Sequence, residues 1–347
     1  MIMTTGEERF SGYTPRTVPG FEAALEAAPA PDGLGQIAVD TLLIAYPLGN
    51  CAGVERSVVS LDKMVDEHPG ENVHCYHDIV HSTWTRKYFE SRGVTFFDDP
   101  GQVPEGAPVM LSAHGTAPAV REAIDGRAGM VIDSTCPIIS KVHTEATQRV
   151  RKGDTVLLIG EPGSDEAEGT RGIAENVHVV EHPESVDALL ESGVITPETS
   201  VSILMQTTLA EADWTPVIGR IKQTWGDAWM PKTSDICFAT TNRQNAANML
   251  IDEGAEAVVV VTAPHSHNGM ALARVVEGRG VPAFPVESAR ELPEALAGIG
   301  KLGITAAASA PAQLIVNQVM ARLRPQEMRL VHAATEEKFF PLPRELR

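Results

Sequence analysis

Three cysteines mark equivalent points of a threefold internal repeat, and that repeat limits the fold more than any other feature of the chain. The segments are LLIAYPLGNCAGVERSV, GMVIDSTCPIISKVHTEA and MPKTSDICFATTNRQNAANML, carrying Cys51, Cys136 and Cys237. In each, the cysteine stands at a turn just before an expected helix. A buried-strand run precedes the first two clearly and the third more weakly. A second set of loops places His81, Ser164 and Ser266 at 30, 28 and 29 residues beyond those cysteines. A third set, in SAHGTAP, MQTTLAEA and AAASAPA, places His114, Thr207 and Ser309 at 63, 71 and 72 residues. Self-similarity of this kind signals repeated βα units. The expectation is an α/β fold of three similar domains in a pseudo-threefold arrangement. Its boundaries are an N-terminal extension over 1–39, units over 40–135, 136–235 and 236–330, and a tail over 331–347 that packs on the body. The extension, rich in Ala, Pro and Glu, reads as partly disordered or as a surface arm.

In open parallel sheets, ligands sit beyond the carboxyl ends of the strands. Three such units facing one centre would gather three thiols and about six polar loops. Three thiolates from separate units suit zinc or an iron–sulfur cluster, and structural zinc sites usually take four ligands in close pairs. A cubane also normally has four cysteines, so three would leave one iron open. Free cysteine is, equally, among the most buried residue types. Equivalent placement in a repeat favours ligands over three unrelated core thiols. Cys75 has no counterpart in the other units and is assigned to packing.

Charge narrows the partners. Lys and Arg total 28 against 46 Asp and Glu, a net charge of −18. That excess repels nucleic acid and anionic membranes. No stretch approaches the roughly 20 apolar residues of a membrane span, and the N-terminus does not read as a secretory signal. The four cysteines include no Cys-x-x-Cys pair. A cytoplasmic protein with reduced thiols is expected.

At NCAGVERS, HDIVHS, SAHGTAPAVR, STCPIISKVH, MQTTL, DICFATTNRQ and TAAASAP, the chain resembles the 4-hydroxy-3-methylbut-2-enyl diphosphate reductases, the IspH/LytB family. The likeness runs from about Leu42 to the C-terminus. It implies three α/β domains around a central 4Fe–4S cluster with one open iron, bound by Cys51, Cys136 and Cys237. It also implies an allylic diphosphate substrate held by His81, His114, Ser266, Asn268 and Ser309. Glu166 would be the proton donor, and Thr207 would orient the substrate hydroxyl. The reaction implied is reductive removal of that hydroxyl to give isopentenyl and dimethylallyl diphosphate. A ferredoxin- or flavodoxin-like protein would supply the electrons.

The chain departs from the family pattern in three places. Ser164 and Asp165 replace a His-Pro before Glu166, and Glu161 replaces an earlier histidine of that loop. Asn50 replaces a phenylalanine before Cys51, and His267 replaces a serine between Ser266 and Asn268. Ser164 and His267 are therefore counted with the diphosphate-binding residues, His267 compensating for the lost histidine. Three other readings accompany the leading one: a divergent paralogue reducing another allylic or benzylic alcohol, a non-catalytic iron–sulfur sensor, and a redox-inactive hydro-lyase.

Overall fold

The computed structural model describes residues 33–311 and 314–347. Their structure is built on three parallel sheets, each covered by helices. Sheet 1 contains β1 (Val39–Tyr46), β9 (Ala257–Val261), β10 (Ala283–Val286), β11 (Lys301–Ala306) and β12 (Pro325–His332) in the order β10-β9-β11-β1-β12. Sheet 2 contains β2 (His74–Tyr76), β3 (Thr95–Phe97), β4 (Pro108–Leu111) and β5 (Met130–Asp133) in the order β3-β2-β4-β5. Sheet 3 contains β6 (Thr155–Ile159), β7 (Val177–Val180) and β8 (Val201–Met205) in the order β7-β6-β8.

The chain divides into two compact units. One holds the described residues up to Asp62, Val80–Ser91 and Phe238–Pro341, and carries sheet 1. The other holds Lys63–Ile79, Arg92–Cys237 and Leu342–Arg347, and carries sheets 2 and 3.

Continuous apolar runs make these strands, because a parallel sheet buries both faces. All five residues of β9, AVVVV, are buried, as are all five of β8, VSILM. Alternation then sorts each strand's side chains between two cores. Leu42 and Ile44 join Val259, Val261, Leu302 and Ile304 on one side of sheet 1. Leu43 and Ala45 join Val258, Val260 and Leu250 on the other. Pairings such as Leu42 with Leu302 and Ile304 with Val259 lock this register, since a one-residue slip would exchange the two faces.

Helices begin directly after Cys51, Cys136 and Cys237, as expected, and others cover the sheets. They are α1 (Ala52–Glu67), α2 (Thr83–Ser91), α3 (Pro118–Asp125), α4 (Pro137–Arg151), α5 (Asp165–Arg171), α6 (Pro183–Glu191), α7 (Glu211–Thr224), α8 (Phe238–Asp252) and α9 (His267–Gly278). Pro137 opens α4 at a position where its missing N–H costs nothing.

Strand pairing departs from the expected units at one strand. β1 was expected in the first unit, 40–135, yet it pairs with β11 and β12 of sheet 1. By contrast β5, which precedes Cys136, falls within 40–135 as expected and closes sheet 2. The weak run before Cys237 adds only a bridge from Trp229 to Ser202, beside sheet 3. The segment leading into Cys136 or Cys237 thus finishes the sheet whose strands precede it, whereas β1, leading into Cys51, joins strands from the far end of the chain. Sequence repeats fix a period and leave its phase open; strand pairing sets the phase. The tail boundary also shifts slightly, because β12 runs to His332. Of the expected extension, residues 1–32 lie outside the described residues. Its end does not stand off as an arm: Ile37 is fully buried and donates its N–H to Arg322 O at 2.9 Å.

Candidate active site

The three sheets repeat one topology. Each runs second strand, first strand, third strand, then the segment that leads into a cysteine: β3-β2-β4-β5, β7-β6-β8-Trp229 and β10-β9-β11-β1, with β12 added beyond β1 in sheet 1. The order reverses between first and third strands, and ligands bind at such switch points. The loops following those two strands carry the polar residues the repeats singled out. His81 and His114 follow β2 and β4, Ser164 and Thr207 follow β6 and β8, and Ser266 and Ser309 follow β9 and β11.

The same loops hold the cysteines. Cys51 donates its N–H to Ala308 O at 3.0 Å, Cys136 to Ala113 O at 2.9 Å and Cys237 to Thr207 O at 3.0 Å. Each cysteine directly precedes a helix, α1, α4 or α8. Helix N-termini favour negative charge, so all three positions suit a thiolate. All three are outside disulfides and partly accessible, whereas Cys75 lies fully buried within β2. Burial pushes the Cys51 thiol up, and the Arg243 guanidinium pulls it back. Metal coordination is the ordinary way to keep such a thiol deprotonated. Each of these positions suits an iron–sulfur ligand by its chemistry: a thiol at a helix N-terminus, fixed by a backbone hydrogen bond.

In the unit bearing sheets 2 and 3, Glu166 is the central group. It lies on α5, 5% exposed, and Thr207 serves both its oxygens. The Thr207 N–H donates to Oε1 at 2.6 Å, and the Thr207 hydroxyl donates to Oε2 at 3.1 Å. Burial pushes the Glu166 pKa up to about 7; the two Thr207 hydrogen bonds oppose this, and Asp235 adds to it. Glu166 therefore holds a proton near neutral pH and can give it up, as a general acid must.

The neighbouring Ser164 is committed to the fold. Its hydroxyl caps α5 by accepting the Ala167 N–H at 3.2 Å, and donates to Gln206 Oε1 at 3.2 Å. Asp165, the second departure from the family pattern, faces His77 at 3.9 Å. Glu161 is tied to the same loop, its N–H donating to Gln206 Oε1 at 2.9 Å. Gly169, one turn after Glu166, allows α5 to approach the backbone at Gly115, and a Cβ there would stand 3.1 Å from Gly115 O. Gly115 itself has φ +90°, which a side chain would strain. The close approach sets α5 against the loop bearing the half-buried His114.

The other unit gathers the remaining group. Ser266 caps α9, its Oγ accepting the Gly269 N–H at 3.4 Å. Asn268 is buried, its Oδ1 accepting the Ala308 N–H at 2.8 Å and its Nδ2 donating to Thr240 at 3.2 Å. Ser309 Oγ donates to His81 O at 2.8 Å, tying the loop after β11 to the loop carrying His81. The His81 ring lies 5.5 Å from His265, edge to face, and 6.1 Å from His267. Burial, with Arg274 beside it, pushes His267 below the usual histidine range. It thus offers a neutral N–H rather than a charge.

A family model described as LytB protein matches residues 42–324. The chain belongs to the LytB family. Among LytB relatives, a 4-hydroxy-3-methylbut-2-enyl diphosphate reductase from Nocardia farcinica is 38% identical over 91% of this chain and 94% of its own. One from Methylibium petroleiphilum is 36% identical over 88% and 92%. In structure, the E-1-hydroxy-2-methyl-but-2-enyl-4-diphosphate reductase from Plasmodium falciparum superposes with a TM-score of 0.81, at 27% identity, over 90% of this chain and 97% of that one. These likenesses bear out the family and the α/β fold expected from the sequence.

Reading this LytB sequence alone missed four residues that the structure brings into the site's framework. His265 stands beside His81. Gln206 holds the loop at Ser164. Asp235 is fully buried, accepts the Met205 N–H at 3.1 Å and meets Lys141 at 3.0 Å. Arg243 is fully buried near the Cys51 turn. A charged residue on the inner face of α8 was the one available signal, for Arg243. The others contribute through tertiary neighbours that spacing does not reveal.

Proposed function

We propose that this protein reductively removes the hydroxyl of 4-hydroxy-3-methylbut-2-enyl diphosphate, giving isopentenyl and dimethylallyl diphosphate. Membership of the LytB family over most of the chain carries the reading, and the protonated, Thr207-bound Glu166 supports it. Cys51, Cys136 and Cys237 would hold a 4Fe–4S cluster with one iron lacking a protein ligand. When bound, the cluster supplies a Lewis-acidic iron and passes two electrons, one at a time, from a ferredoxin- or flavodoxin-like donor.

The protein's own part is acid–base chemistry and positioning. Replacing C–O by C–H consumes two electrons and two protons and releases water. Glu166 gives a proton to the departing hydroxyl, turning a poor leaving group into water. Thr207 holds the Glu166 carboxyl and presents its own hydroxyl beside it. His81, His114, Ser266, His267, Asn268 and Ser309 bind the diphosphate by hydrogen bonds and helix N-termini rather than by a Lys/Arg clamp. Ser164 acts by holding the loop of Glu166, with its hydroxyl already engaged. No described helix is long and apolar enough to cross a membrane; we place the enzyme in the cytoplasm on its thiol chemistry.

The test is anaerobic turnover of the reconstituted protein with the diphosphate and a chemical reductant, beside a Cys136→Ser control. Both five-carbon diphosphates should form, and the control should form neither. A complete cluster without turnover would overturn the reading.

A further inference from the structure

Arg243 has the largest side chain among the fully buried residues. Arginine is almost never fully buried unless paired, because removing its charge from water is costly. It sits on α8, six residues after Cys237. Its Nη2 donates to Gly49 O at 2.6 Å, and its Nη1 donates to Ala239 O at 3.0 Å and to Glu336 Oε1 at 3.1 Å. Glu336, on the segment beyond β12, also accepts from Asn242 Nδ2 at 3.1 Å and is itself only 10% exposed. Two residues later, Lys338 lies over the Phe238 ring at 4.9 Å.

The turn that Arg243 grips ends in Cys51. Gly49 has φ +81°, Asn50 is buried with its amide reaching Ser309 O and Ala310 O at 3.3 and 3.1 Å, and Cys51 donates to Ala308 O. Every residue of Gly49-Asn50-Cys51 is thus held, and Arg243 brings a positive charge to it, with the Glu336 charge acting from behind. A neutral donor would have satisfied Gly49 O. A buried cation with a buried anion behind it does more, because charges in a poorly polarisable interior act over long distances.

We propose that Arg243 and Glu336 are positioning residues that fix the Cys51 turn and set the reduction potential of the cluster bound there. The inference rests on the cluster reading above. Each electron entering the cluster adds negative charge, so the Arg243 cation favours reduction and the Glu336 anion opposes it. Cluster charge and environment are established levers on potential.

The experiment is a one-electron redox titration of the holoprotein, followed by electron paramagnetic resonance, with iron and sulfide content measured first. Glu336→Gln keeps the hydrogen-bond acceptor and removes the charge, so its midpoint should move positive. Arg243→Gln should move it negative. Arg243→Lys retains the charge but not the fork, so it should stay close to wild type in potential while losing iron to a chelator faster. Unchanged midpoints in fully loaded Glu336→Gln and Arg243→Gln, or shifts of the same sign, would overturn the proposal. Should Arg243→Gln fail to fold, the Glu336→Gln shift decides alone. A wild-type protein that binds no iron and sulfide overturns both this inference and the cluster reading, whereas a loaded wild type with unmoved variants overturns this one only.

Discussion

Thr207 gives both its N–H and its hydroxyl to the carboxyl of Glu166, at 2.6 and 3.1 Å, while its carbonyl accepts the N–H of Cys237 at 3.0 Å. One residue thereby joins the expected proton donor to an expected cluster ligand. The arrangement depends on β8 delivering Thr207 to the switch point of sheet 3, where α5 brings Glu166.

Replacing Glu166 by Gln should lower turnover by about 10²–10⁴-fold, the usual contribution of a positioned general acid. Iron and sulfide content should stay at the wild-type level, because Glu166 is not among the proposed cluster ligands and its carboxyl is held by Thr207. Metal analysis beside steady-state kinetics checks both; a variant that retains turnover removes Glu166 from the mechanism.

Turnover should fall as pH rises through about 7, where Glu166 loses its proton. The same group also shapes stability. Its folded pKa lies above the ordinary value of 4.5, so its contribution is greatest below 4.5 and declines as pH rises through about 7. Chemical unfolding across that window should show wild type losing stability relative to Glu166→Gln. Parallel curves for the two proteins would mean that Glu166 ionises normally.

Ser164→Ala removes the cap of α5 and should cost about 1 kcal/mol, read as a lower thermal midpoint. Its effect on kcat should exceed its effect on KM if Ser164 acts through the loop of Glu166. A change confined to KM would instead make its hydroxyl a substrate ligand.

Gly269→Ala should destabilise strongly, by about 1–3 kcal/mol or more, as overpacking does. A Cβ there overlaps the Thr262 side chain, and α9 would have to move with Ser266 and Asn268. Thermal unfolding measures the first effect, and a raised KM for the diphosphate the second. By contrast, Cys75→Ala should leave the cluster intact and cost only packing, since Cys75 is a fully buried strand residue.

The family, the α/β class and the positions of the cysteines before helices were all legible in the chain. Strand-like runs such as AVVVV and helix openings such as Cys136-Pro137 are local signals, decided by residues near one another in sequence. The placement of β1 was not legible. LLIAY suits any buried parallel strand, and only pairing with β11 and β12, 260 and 286 residues away in sequence, assigns it to sheet 1. The role of Ser164 was hidden for the same reason, since its partner Gln206 is 42 residues distant.

By itself the sequence singled out the side chains proposed to carry the chemistry: three thiols in a repeat, and a glutamate beside a small-residue loop. Tertiary structure alone decided their state. Burial raised the Glu166 pKa, Thr207 supplied its two donors, and packing of α8 drove Arg243 out of water against Gly49 and Glu336. Residue type sets what a group is able to do, whereas its protonation and its field depend on solvent exclusion and on partners that only folding brings near.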